Sequence, residues 1–252
     1  MEKKENNQVH LNGYIKSIKE TAFEDKVFLN VIVGTSETIP EKDPKYTSHM
    51  VKITADSDLA EKLRNLKEGK NFISLDGRLM ANEKDGKRFF YVSALPDSVK
   101  LNEGMQKGES RNTVTIEGNI ASLDIYKDKE FATMSVAMNY YIPGEGEEKY
   151  KQVANFLPVR ISGKRLPETF KQLVDGSLAV GDKISVRGQM HNDDYVKEDE
   201  TKVYAIKIDA NKVELVAKKK AAQAEAPKEE AKEAKKAEKK AEPKKKSKGM
   251  KM

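Results

Sequence analysis

The sequence NTVTIEGNI at residues 112–120 closely repeats the sequence NQVHLNGYI at residues 7–15. In both, apolar residues alternate with polar ones up to a glycine, and this alternation is the period of a half-buried β-strand. A glycine inside such a strand usually marks a bulge or a sharp bend. In a small barrel, a bend of this kind lets one long strand serve two sides of the closed sheet. The two stretches therefore predict the bent opening strand of a small β-barrel, and they predict it twice.

Three further pairs of similar segments follow in the same order. VKITA at 51–55 matches VRISG at 159–163, ISLDGRL at 73–79 matches ISVRGQM at 184–190, and VKL at 99–101 matches VEL at 213–215. The offset grows from 105 residues for the opening pair through 108 and 111 to 114, as loop insertions in the second copy would produce. Such a period is domain-sized, well above the roughly 20–50 residues of a solenoid repeat. We therefore expect an internal duplication, with domains at residues 1–108 and 109–216.

The positive charge of the chain is concentrated in its C-terminal segment. Residues 217–252 contain 14 lysines and six glutamates, a net charge of +8, whereas the whole chain carries +6, so residues 1–216 carry −2. The segment has no aromatic residue and no large apolar residue except two methionines near its end. It cannot bury enough surface to fold alone. We expect residues 217–252 to be a disordered basic tail rich in lysine, alanine and glutamate.

Each copy is predicted to contain five strands, with a short helix between the third and the fourth. In the first copy the strands fall at about 8–18, 27–34, 46–55, 71–81 and 87–94, with a helix at 58–67. In the second copy they fall at about 112–124, 130–141, 151–162, 183–191 and 202–209, with the helix in LPETFKQLVDG. This order is that of the OB fold, although periodicity alone also fits an SH3-like or another small β-barrel. The predicted fold class is all-β, with two tandem five-stranded OB-fold barrels and a disordered tail.

Composition argues against several classes of function. The chain has no cysteine, which excludes disulfides, thiolate metal sites and cysteine nucleophiles. No stretch approaches the roughly 18 apolar residues that span a membrane, and MEKKENNQ is not a secretory signal, so we expect a cytoplasmic protein. His10, His49 and His191 share no ligand-like spacing, and no phosphate-binding glycine loop or nucleophile motif occurs. We therefore expect a protein that is not an enzyme and needs no cofactor or metal.

The second copy resembles the bacterial single-stranded DNA-binding protein family along almost its whole length. The family opens on an N-x-V-x-L-x-G-x-L strand, matched by NTVTIEGNI, and its second strand resembles ATMSVAMNYY. Its third strand is similar to FLPVRISGK, and a helix is followed by a strand similar to GDKISVRG and by a hairpin with an aromatic tip. The first copy has the same frame with weaker signature residues. The resemblance implies a nucleoid-associated protein that coats and protects single-stranded DNA during replication or recombination.

The resemblance also implies a binding site, because this family stacks bases on aromatic side chains along a cationic groove. At the implied stacking positions the second copy has Phe156 and Tyr195, while Ser162 stands where the family has a stacking phenylalanine. A phenylalanine on a strand is as readily a core residue, and of two adjacent tyrosines at the end of the second strand one is expected to face the core. The remaining implied contacts are those tyrosines, Tyr140 and Tyr141, and the cations Lys151, Arg160, Lys164 and Arg187.

The first copy differs at these positions. Ser48 stands in place of Phe156, and Lys84 stands in place of Tyr195. We therefore expect the second copy to supply most of the stacking. The candidate contacts that remain in the first copy are the aromatic residues Phe28, Tyr46 and Phe89 and the cations Lys52, Arg78 and Arg88.

The resemblance suggests a homodimer with four OB domains, with a monomer as the alternative. In the family an acidic tail tip recruits replication and repair proteins, whereas this chain ends in KKKSKGMKM, so replication or recombination partners are not expected to bind in that way. Two alternatives to DNA coating stay open. One is an RNA-binding OB-fold protein, because stacking tolerates either sugar, and the other is a non-enzymatic interaction or scaffold protein that acts through its basic tail.

Overall fold

The computed structural model of the protein describes residues 7–23, 26–37, 43–54, 57–66, 71–84, 87–102, 110–143, 150–192, 195–196, 202–203 and 206–219. Strands form where apolar and polar residues alternate, because one face of each strand packs on a core and the other meets solvent. The first half contains β1 (Asn7–Phe23), β2 (Lys26–Glu37), β3 (Lys45–Thr54), α1 (Ser57–Arg64), β4 (Phe72–Lys84), β5 (Lys87–Ala94) and β6 (Lys100–Asn102). The second half contains β7 (Arg111–Tyr126), β8 (Phe131–Pro143), β9 (Tyr150–Ser162), α2 (Pro167–Val174), β10 (Lys183–Asn192), β11 (Tyr195–Val196), β12 (Lys202–Val203) and β13 (Ile206–Ala217).

Strand pairing in each half runs in a ring. In the first half β1 pairs with β2, β2 with β3, β3 with β5, β5 with β4 and β4 with β1. In the second half the same ring joins β7, β8, β9, β13 and β10. The third and fifth strands of each ring are parallel, and the helix lies between the third and the fourth strand. The predicted all-β class and the predicted tandem OB order are confirmed.

The bend in each opening strand lies where the repeated glycine predicts it. A Cβ atom on Gly13 would lie 2.2 Å from the carbonyl oxygen of Gly34, and one on Gly118 would lie 2.3 Å from that of Ala137. The backbones approach so closely that only glycine fits. In both halves the register then shifts by one residue, just beyond this point, so that the strand turns from its fourth-strand partner to its second-strand partner.

A repeated asparagine extends the pairing of each opening strand. The side chain of Asn7 donates to the carbonyl of Leu79 at 2.8 Å and accepts from its N–H at 3.0 Å. Asn112 makes the same two bonds to Met190, at 2.6 and 3.1 Å. Each amide thus takes the place of a backbone pair near the start of the opening strand, two residues before its backbone ladder with the fourth strand begins. The first residue of the repeated motif is explained by this contact.

The end of the second barrel differs from its prediction. The predicted fifth strand ends at residue 209, whereas β13 continues to Ala217 and pairs with β10 along its length, including Leu215 with Ile184. The first half makes the same contact, Leu101 with Ile73, through the separate strand β6. There a 3₁₀ turn at Pro96–Ser98 interrupts the chain, because proline lacks the N–H that a continuous ladder requires. The repeated VKL and VEL segments therefore occupy equivalent places.

The two halves share one ladder. Strands β1 and β7 pair antiparallel over residues 7–12 and 111–116, with Val9 opposite Val114. These two valines occupy the same position in the repeat, so the halves are related locally by an approximate two-fold axis. Residues 1–219 form one compact unit, and residues 220–252 are a second unit that lies outside the described residues. The domain limits at 108 and 216 stay a prediction.

The chain leaves β13 against a buried carboxylate. Asp182 accepts the backbone N–H of Lys219 at 2.9 Å and the ammonium of Lys218 at 3.0 Å. These bonds hold the pKa of Asp182 below its ordinary value, because backbone and side-chain donors stabilise the ionised form. Residues 217–219, predicted to begin the tail, therefore belong to the barrel, and the prediction of a disordered tail concerns residues outside the described ranges.

Candidate nucleic-acid interface

The outer surface of the first half carries side chains that alternate with the core positions of β2, β3, β5 and β4. The core positions include Val31, Val51 and Val92, which are fully or almost fully buried. One row of outward positions crosses the four strands and is set by the ladder pairs 30–52, 52–93 and 93–78. We call it the central row of the first half, and its members are Asn30, Lys52, Ser93 and Arg78.

Next to this row lie aromatic and sulfur-containing side chains. The ammonium nitrogen of Lys52 sits 4.7 Å from the centroid of the Tyr91 ring, a cation–π contact. Burial raises the pKa of Tyr91, and the nearby phenol of Tyr140 from the second half adds to the effect. Other large side chains stay open to solvent on this face, with exposed fractions of 60% for Tyr46, 37% for Met50 and 38% for Phe89. A face that combines open rings with cations can stack bases and hold phosphates.

The second half has a matching row with different charges. The ladder pairs 133–160, 160–209 and 209–189 define it. Within it the guanidinium of Arg160 makes a bidentate pair with Asp209, at 2.6 Å from Nε to Oδ1 and 2.7 Å from the second nitrogen to Oδ2. We call this the central row of the second half, and its members are Thr133, Arg160, Asp209 and Gln189.

A basic groove lies at the end of this second row. Phe131 forms one of its walls and stacks on Tyr126, with ring centroids 4.6 Å apart and an interplanar angle of 21°. Its cationic lining includes two predicted phosphate contacts, Arg160 and Lys164. The full lining is Lys129, Glu130, Phe131, Arg160, Ser162, Lys164, Arg165, Lys207, Asp209 and Ala210.

Each half also contacts the fourth strand of the other. On one side Asn155 of β9 donates to the carbonyl of Leu79 at 3.0 Å and accepts from the N–H of Ala81 at 3.1 Å. On the other side Thr47, at the same position of the repeat, lines a polar pocket with Asn112 and His191. The two junctions are thus equivalent in place and different in chemistry.

Two buried histidines mark the second of these junctions. His49 is fully buried on β3, and its Nε2 lies 2.9 Å from the hydroxyl of Thr35. Burial lowers the pKa of His49 to about 3, and the nearby His191 and Lys16 add to the effect. Burial also lowers the pKa of His191, which lies 3.5 Å from Asp209. Both imidazoles are therefore neutral at pH 7.

The predicted contacts in the second half are distributed over several places. Phe156 is half-buried on β9 with Ala137 opposite it on β8. Tyr140 is half-buried on β8, and its phenol lies near Tyr91 of the first half. Arg187 is exposed in another groove, beside the ladder between β1 and β7. The side chains of Tyr195, Tyr141 and Lys151 lie outside the described residues.

In the first half the structure brings more candidates together. Lys52, Arg78 and Tyr46 lie on the outer face just described, with Phe89 on the neighbouring strand. Phe28 is half-buried near the start of β2, and the side chain of Arg88 lies outside the described residues. Sequence reasoning missed Asp209 and Asn155. Aligning YVSA of β5 with KIDA of β13 would have shown that Asp209 is equivalent to Ser93 in the repeat. That alignment, however, requires the register of the fifth strand, which only the structure gives.

The described part of the chain lacks two particular features. Within it, no cluster of three or more histidine or acidic side chains could hold a metal ion. Among the same residues, no helix has the length and apolar character needed to cross a membrane.

Comparisons with known proteins agree with this geometry. The family model described as the single-strand binding protein family matches residues 102–216. The protein is similar in structure to a deletion mutant of the single-stranded DNA binding protein from Thermus aquaticus, with a TM-score of 0.59, 22% identity, and coverage of 86% of this chain and 97% of that one. The wild-type Thermus aquaticus protein gives the same TM-score at 18% identity, with coverage of 85% and 95%. These similarities show that the two-barrel fold extends over both halves.

No curated protein sequence matches the chain. The family match covers the second barrel, and the structural similarity shows that the first barrel is built in the same way. The opening motif, the ring of pairings and the repeated asparagine are common to both halves. Residues 102–216, which hold the second barrel, match the single-strand binding protein family, and the first barrel shares the fold.

Proposed function

We propose that this protein binds single-stranded DNA along the outer faces of its two barrels and protects it during replication or recombination. The observation that carries the proposal is the outer face of the first half, where the exposed rings of Tyr46 and Phe89 lie on the same face as the cations Lys52 and Arg78. Open rings take unpaired bases by stacking, while cations at the same spacing hold the phosphates between them. A duplex hides its bases, so this face favours single strands.

The comparisons support the same reading. The Thermus aquaticus proteins that share this two-barrel fold are described as single-stranded DNA binding proteins. In the assembly that we propose, two chains associate and supply four barrels. Sedimentation equilibrium should then give twice the mass of the chain, and a mass of 28.3 kDa would indicate the monomer.

Competition binding tests the function. A labelled poly(dT) oligonucleotide is displaced by unlabelled poly(dT), poly(U) and duplex DNA over a series of salt concentrations. We expect poly(dT) to compete best and duplex worst, with log affinity falling by about 0.7 per phosphate neutralised for each tenfold rise in salt. Preference for poly(U) would favour an RNA-binding protein. Equal affinity for duplex would contradict the proposal and favour an interaction protein that uses its basic tail.

A further inference from the structure

We infer that the central row of the first half binds phosphate more strongly than that of the second half. One sequence difference causes this: the first half has Ser93 at the position where the second half has Asp209. The inference rests on the proposed binding of single-stranded DNA. It concerns the charge at matched positions of the two barrels and not the family's stacking positions.

The two residues occupy the same place. Ser93 pairs with Lys52 of the parallel third strand and with Arg78 of the fourth. Asp209 pairs in the same way with Arg160 and with Gln189. Lys52 and Arg160 are therefore equivalent cations, and only the second has a carboxylate on the adjacent strand at its own register.

The carboxylate of Asp209 pairs with the guanidinium of Arg160 and neutralises its charge. The guanidinium is bound at 2.6 and 2.7 Å by both oxygens, the strongest geometry for this pair. A phosphate that took Arg160 would leave Asp209 with only the neutral imidazole of His191 beside it, 3.5 Å away. The side chain of Asp209 is only 11% exposed, so water could not replace the guanidinium, and an unpaired buried carboxylate is strongly unfavourable. DNA also meets the negative charge of Asp209 itself.

The first row presents the opposite balance. Its cation Lys52 has Asn30 and Ser93 at its register, and neither is a carboxylate, whereas Arg160 has Asp209. The ammonium of Lys52 already sits against an aromatic ring, so a phosphate on Lys52 places the adjoining base near Tyr91 and the exposed Met50. In the first half, one nucleotide could therefore place its phosphate on Lys52 and its base near Tyr91.

The inference predicts the effect of exchanging the two residues in the full-length chain. Ser93→Asp should give Lys52 a carboxylate partner, weaken binding to a poly(dT) oligonucleotide and reduce the salt slope by about 0.7. Asp209→Ser should release Arg160, tighten binding and raise the slope by a similar amount. Ser74→Asp serves as the control for added charge, because Ser74 is an outward serine of β4 that faces β1 and β6 rather than the central row.

Binding is measured by fluorescence titration from 50 to 300 mM salt, and thermal melting reports whether each variant is folded. Where Asp209→Ser does not fold, Lys52→Gln is compared with Arg160→Gln, and only the first should lower the slope. If wild-type protein prefers single strands but Ser93→Asp behaves like Ser74→Asp, the inference is overturned while the proposed function stands. If wild-type protein shows no such preference, the proposed function itself fails.

Discussion

Replacing Asn112 by alanine tests the contact that extends the pairing of β7 with β10 in the second barrel. The amide makes two bonds to the backbone of Met190, at 2.6 and 3.1 Å, where no backbone partner from β7 is in place. A hydrogen bond contributes about 0.5–1.5 kcal/mol net, so we expect a loss of about 2 kcal/mol in the free energy of unfolding. In a chain of this size such a loss lowers the melting temperature by about 4–8 °C.

Urea unfolding followed by circular dichroism measures this loss. Asn7→Ala should cost a similar amount in the first barrel, because Asn7 makes the same pair of bonds to Leu79. Asn112→Asp is the informative control, because a carboxylate still accepts the N–H of Met190 but repels its carbonyl oxygen. That variant should be destabilised at pH 7 and should recover partly when the new carboxyl is protonated. A cost below about 0.5 kcal/mol for Asn112→Ala would show that backbone or water replaces the amide, and it would refute the reasoning.

Two further perturbations probe the buried histidine and the tail. His49 has a pKa of about 3 when folded and 6.5 as its ordinary value, so its contribution to stability is fully present above pH 6.5 and is lost as the pH falls towards 3. Between pH 6.5 and 5, urea unfolding should therefore show that wild-type protein loses about 2 kcal/mol more stability than His49→Gln, and parallel pH profiles would contradict the burial of a neutral imidazole. Deleting residues 220–252 should weaken binding to single-stranded DNA at low salt and flatten the salt slope, with the melting temperature unchanged, because the lysines of the tail add counterion release while the barrel ends at Lys219; tighter binding after truncation would instead mean that the tail competes for the DNA-binding face.

The parts of the fold that sequence predicted are those that local backbone geometry demands. Gly13 and Gly118 are required because another strand's carbonyl lies within van der Waals contact of each, so the same residue recurs at both bends. Alternation of buried and exposed residues, and the helix opened by Pro167, are likewise local properties. The bend glycine and the alternation recur about 105–114 residues later in the sequence, and this repeat alone indicated two barrels.

The parts that sequence did not predict depend on the register between distant strands. Arg160 and Asp209 are 49 residues apart and meet because β9 and β13 pair in parallel. No local pattern fixes that register, and β13 proved to be offset from the predicted fifth strand. Arg160 could be named as a cation near the DNA, but the carboxylate that holds it could not. The roles of Phe156, Tyr195 and the other stacking candidates stay predictions.

The ladder between β1 and β7 has an evolutionary consequence. In a symmetric homodimer, any substitution at such an interface occurs on both sides of the axis at once. Here the equivalent positions belong to one chain and are encoded separately, so each side can change without the other. Asn155 clamps the backbone of β4, while Thr47 at the matching position lines a polar pocket instead. Because one chain holds both barrels, they can differ from each other while the chain keeps them paired at any dilution.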